Sequence, residues 1–146
     1  MTASFIKLNR LTFFLALLGM AIAAYVTQSF LRQTPIICIN TGCELVRNSP
    51  LSYPFGLPVP AFGFIGYTLL ALLSFLRTSL KTAPLTWAML AISFGGVLFV
   101  TWFTFTEIFI IHALCTWCAL SALNMFVVFL LILKSKLIES NVLNPK

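Results

Sequence analysis

Polar residues are sparse and clustered along this chain, and between the clusters run four apolar stretches, at residues 11–31, 58–76, 84–106 and 112–133. A helix rises about 1.5 Å per residue, so stretches of this length can cross about 30 Å of hydrocarbon. The predicted fold is an all-α membrane protein: a four-transmembrane-helix bundle that takes in residues 1–146 as one domain. The connections are short except for residues 32–57, a long loop between the first and second helices. Pro84 stands where a first-turn proline of the third span would. No internal repeat or low-complexity tract interrupts the pattern.

Composition supports the bilayer reading. Of 146 residues, 60% are hydrophobic and 8% charged, whereas soluble domains carry about a quarter charged residues. The net charge of +6 does not point to nucleic acid, because the basic residues are spread over the connections instead of clustering with aromatics on a soluble module. They report topology. Lys7, Arg10, Arg77, Lys81, Lys134, Lys136 and Lys146 fall on one side of a four-span arrangement, and Arg32 and Arg47 on the other. By the positive-inside rule both termini are cytoplasmic and the 32–57 loop is extracytoplasmic, as in a multi-pass protein of a cell membrane. Lys7 and Arg10 before an apolar run, with Ala21, Ile22 and Ala23 following, also resemble a secretory leader. The apolar character continues through Tyr25, Val26, Phe30 and Leu31, which favours a retained span.

The 32–57 loop exceeds ordinary connection lengths. Pro50, Pro54, Pro58 and Pro60 interrupt helix, while Leu45, Val46, Leu51, Tyr53, Phe55 and Leu57 are apolar enough to cap the bundle as a lid. A disordered connector is the alternative, and the cysteines argue against it. Cys38 and Cys43 lie in this loop, and Cys115 and Cys118 lie in "HALCTWC" at the opening of the last span. On the charge-derived topology all four occupy the oxidising face, where disulfides persist.

Residues spaced as CxxC on a helix have Cβ atoms about 5–6 Å apart, near disulfide reach. At a helix N-terminus, Cys115 would meet free backbone donors that stabilise a thiolate, whereas Cys118 lies one turn deeper in lower dielectric. The two sulfurs therefore suit different roles. Thiolates attack disulfides through mixed disulfides, so two pairs can pass electrons in relay if the loop brings one to the other. A lipid-soluble quinone suits the apolar interior as final acceptor, and no residue set suggests flavin, haem or nucleotide. Three other readings compete: two inert structural disulfides, a four-cysteine zinc site that must close a tetrahedron between loop and membrane edge, and cysteines buried as small hydrophobes. No metal is expected.

Three segments, "CINTGCELVRNS", "FGLPVPAFGFIGYTLL" and "ALCTWC", occur in this order across the four spans. The pattern resembles the vitamin K epoxide reductase (VKOR) family, especially its bacterial members, which reoxidise disulfide-forming proteins. The resemblance implies that Cys38 exchanges with a reduced partner and that Cys43 passes electrons inward. It implies that Cys115 receives them through a transient Cys43–Cys115 bridge and that Cys118 is the quinone-facing thiolate. Ser49 matches the family's loop hydroxyl, or is an ordinary turn hydroxyl before Pro50.

Val59 and Ala122 stand where vertebrate members carry the asparagine and tyrosine that help hold vitamin K. Reduction of a simple quinone, such as ubiquinone, menaquinone or a relative, is therefore expected over epoxide reduction. Unlike DsbB-type enzymes, this chain carries its CxxC last. The chain stops shortly after Lys136, so the implied partner is a separate thioredoxin-fold, DsbA-like protein. Three functions follow: a membrane thiol oxidoreductase passing two electrons to a quinone, a vitamin K quinone or epoxide reductase, and a noncatalytic membrane protein with structural disulfides.

Phe62, Phe64 and Tyr67, in "FGFIGY", are candidate quinone-pocket residues, although aromatics there usually serve the core. Gly63 and Gly66 are read as helix-packing positions. His112 either tunes Cys115 or caps the helix in water. Glu107 reads as an interfacial end-of-helix carboxylate, with a proton-carrying role as the alternative. Trp87, Trp102 and Trp117 serve packing or interfacial anchoring.

Overall fold

Hydrocarbon offers a polypeptide backbone no hydrogen bonds, so a spanning segment must satisfy its own, and a helix does so within one stretch of chain. The computed structural model describes residues 3–80 and 83–143. Its helices are α1 (Ala3–Arg32), α2 (Gly42–Asn48), α3 (Val59–Ser79), α4 (Ala83–Thr106) and α5 (Thr116–Leu143). Two 3-10 turns, Pro50–Ser52 and Pro54–Gly56, follow α2, and α4 runs on into a π turn, Glu107–Ile111. Among the described residues there is no strand. Four helices, namely α1, α3, α4 with its π turn, and α5, are long and apolar enough to cross a membrane. At most 33% of the most apolar part of any of them is buried within the protein. Exposed side chains such as Phe14, Leu18, Phe75, Leu98 and Leu130 are thus left for lipid to cover.

The helices outrun the apolar stretches at one end, because hydropathy marks only the part in hydrocarbon. α1 begins before residue 11, and α5 continues beyond residue 133. Polar contacts hold these extensions. Arg77, 3% exposed, donates to Ser135 Oγ at 2.9 Å, lies 3.7 Å from Glu139 and stacks 4.2 Å over the Phe5 ring. One guanidinium so ties α1, α3 and α5. At the other end the last helix starts later than expected: His112 adopts a left-handed conformation at φ 53°, and α5 opens only at Thr116.

α1 packs along α3 and α5, and α5 along α4. Asn9 Nδ2 donates to Ser74 O at 3.0 Å and to Thr78 Oγ1 at 3.1 Å across the α1–α3 seam. Asn124 Nδ2 donates to Leu15 O at 3.0 Å, and Tyr67 OH to Ser121 O at 2.7 Å. Interhelical hydrogen bonds of this kind contribute about 0.6 kcal/mol each on average in membranes. The antiparallel order gathers Lys7, Arg10, Arg77, Lys134 and Lys136 at one end of the bundle, and the four cysteines at the other. Lys81 and Lys146 lie outside the described residues.

The segment between α1 and α3 folds onto the cysteine end. Arg47, 7% exposed, donates to Thr34 O and to Glu44 Oε1 at 3.2 Å. Ser52 Oγ donates to Val46 O at 2.5 Å, and the Tyr53 ring rests 5.8 Å from Phe30. Pro50 and Pro54 each open one of the 3-10 turns.

A helix as short as α2 has no stability of its own, so its place depends on contacts. Gly42 supplies the closest: a Cβ there would collide with the Leu114 carbonyl, standing 3.0 Å from its carbon. A Cβ at Gly96 would meet only the Met125 side chain, 2.8 Å from its sulfur. A methionine can change rotamer, whereas a peptide group cannot step aside without moving its segment. Gly42→Ala is therefore expected to cost about 1–3 kcal/mol, in the range of overpacked sites, and Gly96→Ala less. Apparent melting temperatures in detergent check this ordering, and equal or reversed shifts contradict it.

Candidate functional site

Cys43 sits in the first turn of α2, Cys115 immediately before α5, and Cys118 in the first turn of α5. Cys38 and Cys43 form a disulfide with Cα atoms 6.4 Å apart, and Cys115 and Cys118 are free. The Cys115 Sγ lies 3.2 Å from the Cys43 Sγ. Reacting atoms held about 3–3.5 Å apart are at near-attack distance. Both sulfurs belong to fully buried residues in a cluster with Ile22, Val26, Phe30, Val59 and Phe103. Cys38 is less enclosed, and its neighbours Ile37 and Ile39 are 83% and 92% exposed.

Side chains next to the cysteines clip the two segments together. Asn40 Nδ2 donates to Leu114 O at 3.3 Å, and Thr116 Oγ1 donates to Asn40 Oδ1 at 3.4 Å. Trp117 Nε1 donates to Ile37 O at 2.8 Å, while its ring packs 5.3 Å from Tyr25. Ile37 N in turn donates to Tyr25 OH at 3.5 Å. Trp117, expected to serve packing or anchoring, thus also grips the backbone beside Cys38. The sequence signal for Trp117 and Asn40 was their position within the two cysteine motifs. Their partners are main-chain atoms, which sequence does not distinguish.

The Cys115 thiol is drawn down to about 7. The Cys118 thiol beside it has the largest effect; burial opposes the shift, and the backbone N–H groups of Cys118 and Trp117 add to it. These donors belong to the opening turn of α5, where thiolates are favoured.

Glu107 is not the interfacial carboxylate expected from its position. It is 0% exposed, and a carboxylate oxygen lies within 4.8 Å of the sulfurs of both Cys115 and Cys118. Neither oxygen has a hydrogen-bond partner among the described residues. The cause is local: α4 widens into the π turn at Glu107, and the chain folds back so that Ala113 N donates to Glu107 O at 3.0 Å. His112 is exposed at the end of this turn.

Cys118 also borders a cavity of about 240 Å³, whose walls include Phe62, Tyr67, Phe99, Phe103 and Ser121. Val59 is part of the wall and Ala122 is not. Gly63 and Gly66, expected at helix contacts, both line this space; Gly63 also faces α1, where a Cβ would stand 3.9 Å from that of Ala23, and Gly66 has no such neighbour. Phe64 does not reach it. Two residues on from Phe62, it falls on the far side of the helical turn, 38% exposed beside a shallow outer groove with Ala24, Gln28 and Leu31. Ser49 is half-buried at the end of α2, and its hydroxyl has no hydrogen bond among the described residues; the enclosed hydroxyl of this segment is that of Ser52. Two groups have the proximity of metal ligands, Cys38 with Cys43 and Cys115, and Glu107 with Cys115 and Cys118. In the first, two sulfurs are consumed by the disulfide.

A comparison with curated proteins finds no match. Residues 10–133, which hold all four cysteines, the cavity and most of the helical bundle, match the model of the vitamin K epoxide reductase family. The chain therefore belongs to the vitamin K epoxide reductase family, whose members are oxidoreductases.

Proposed function

We propose that this protein reoxidises a separate thioredoxin-fold, disulfide-forming partner and passes two electrons through its two cysteine pairs to a membrane quinone. The observation that carries this reading is the 3.2 Å approach of the Cys115 sulfur to Cys43 of the Cys38–Cys43 disulfide. A structural staple has no need of a third sulfur so close to it. The gathering of basic residues at the opposite end of the bundle supports an extracytoplasmic site and cytoplasmic termini.

In this scheme a thiolate of the reduced partner attacks Cys38, and Cys43 leaves with the electron pair. The partner's second thiolate then displaces Cys38 and departs as a disulfide. Cys43 attacks Cys115 of a Cys115–Cys118 disulfide, forming a Cys43–Cys115 bond and releasing Cys118. Cys38 attacks Cys43, which restores the Cys38–Cys43 bond and leaves Cys115 and Cys118 reduced. Two electrons and two protons have moved from the partner to the CxxC pair. The product has the bonding seen in the structure, one loop disulfide and two free thiols. The exposed apolar Ile37 and Ile39 give a thioredoxin fold something to grip beside Cys38.

A bound quinone supplies a sink for two electrons and two protons. The apolar cavity suits such a ring, with Cys118 at its edge and Phe62 and Tyr67 in its walls. Val59 offers no hydrogen bond to an epoxide oxygen, which favours simple quinone reduction over epoxide reduction. Ser49 serves here as a turn residue, since its backbone N–H caps α2 on Val46 O at 3.2 Å.

Thiol-dependent quinone reduction by the purified protein is expected to fall to background in Cys118→Ala. On nonreducing gels that variant should accumulate the Cys43–Cys115 bridge. Unchanged turnover would sink the relay, an absence of any exchange would point to structural disulfides, and epoxide turnover would favour the vitamin K reaction.

The reacting form of Cys115 is its thiolate, which predominates above about pH 7. Its attack on the loop disulfide, followed by acid quench and alkylation, is expected to speed up with rising pH and level off above about 7. In Cys118→Ala the midpoint should move upward, because the thiol with the largest lowering effect is gone. A midpoint that stays put contradicts this account of Cys115.

A further inference from the structure

Cys43 must lose a proton, and Cys118 must gain one, when electrons pass between the two pairs. Cys118 borders an apolar cavity, where Tyr67 has committed its hydroxyl to Ser121 O. The nearby group free to handle that proton is Glu107, fully enclosed and within 4.8 Å of the Cys115 and Cys118 sulfurs. An enclosed polar group without a partner costs about 1–3 kcal/mol, and more when it is charged, and ionisable groups within membrane spans usually serve function. The π turn that positions it is itself a feature often retained at working sites.

The surroundings leave Glu107 to the sulfurs. Cys115 and Cys118 face it from the start of α5, and Cys43 of α2 lies 3.2 Å beyond Cys115. On α2, Glu44 and Arg47 pair with each other at 3.2 Å, and Arg47 also bonds Thr34 O. Tyr25 of α1 is engaged with Ile37, and His112 on the same turn is exposed. No cation lies within salt-bridge distance of Glu107 among the described residues.

We infer that Glu107 is the proton donor to Cys118 when electrons pass between the cysteine pairs. The inference rests on the relay proposed above. As the Cys43 sulfur bonds to Cys115, the Cys115–Cys118 bond breaks and its electron pair leaves on Cys118. The Cys118 sulfur takes a proton from the Glu107 carboxyl, and the carboxylate so formed is reprotonated from solvent, to which Cys43 gave up its proton before attacking. Glu107 ends as it began. In the second exchange Cys38 gives up its proton, and Cys115, which leaves with the electron pair, takes one up.

The test uses the full-length protein in detergent, fully oxidised and free of quinone, mixed with a soluble dithiol and quenched with acid. Alkylation then counts the reduced Cys115 and Cys118 at each time and pH. Glu107→Gln is expected to slow reduction of Cys118 by roughly tenfold or more, the lower side of typical acid–base contributions, and to flatten its pH profile, while Glu107→Asp recovers part of the rate. Redox-difference infrared spectra of the wild-type protein should contain a carboxyl signal that tracks reduction of the CxxC pair and is missing in Glu107→Gln. Wild-type rate and pH profile in Glu107→Gln overturn the inference, as does a wild-type spectrum without a redox-linked carboxyl signal. If Glu107→Gln does not fold, Glu107→Asp and the wild-type spectrum decide. Failure of the relay looks different: the wild-type loop pair then never reduces the CxxC pair and Cys118→Ala traps no Cys43–Cys115 bridge, which removes both proposals together.

Discussion

The approach of the α2 backbone to the Leu114 carbonyl governs much of what lies around it. Gly42 leaves no Cβ between the two segments, and that gap in side-chain volume lets the next residue, Cys43, bring its sulfur to 3.2 Å from Cys115. A side chain there would hold apart sulfurs that are far apart in the chain. The same approach lets Asn40 reach Leu114 O and Trp117 reach Ile37 O. The short α2, unable to persist alone, is held by this contact on one side and by Arg47 on the other.

Around that junction the molecule keeps two environments within a few ångströms. Cys38 lies among exposed neighbours, while Cys118 borders a cavity walled by Phe62, Phe99 and Phe103. Cys115 lies between, at the mouth of α5, where the Cys118 thiol and then the backbone N–H groups favour its thiolate. The far end of the bundle does different work. Arg77, Ser135, Glu139 and Phe5 join three helices there, which ties the bundle together away from the cysteines.

Side chains whose chemistry depends on long-range contacts were the least legible. Phe64 and Phe62 look alike in sequence, but helical geometry turns one to the cavity and the other to lipid. Glu107 reads as a helix-end carboxylate because a π turn leaves no hydropathy signal, and the chain that encloses it comes from residues further on. Trp117 is one of three tryptophans that read as packing or anchoring residues, and only the folded loop gives its indole N–H a carbonyl to bond. Ser49 drew notice through its place in a motif, whereas Ser52 is the hydroxyl sealed inside.

Sequence alone determined the four long apolar helices, because lipid forces an apolar stretch of sufficient length to satisfy its backbone internally. It also determined the grouping of the cysteines into two local pairs and the placement of basic residues at alternate helix ends, since both follow from chain order. The tertiary structure decided which sulfur meets which, where Glu107 sits and which faces of α3 line the cavity. Those outcomes depend on the approach of segments distant in the chain, and such approaches are set by volume, hydrogen bonding and packing at contacts that no local pattern encodes.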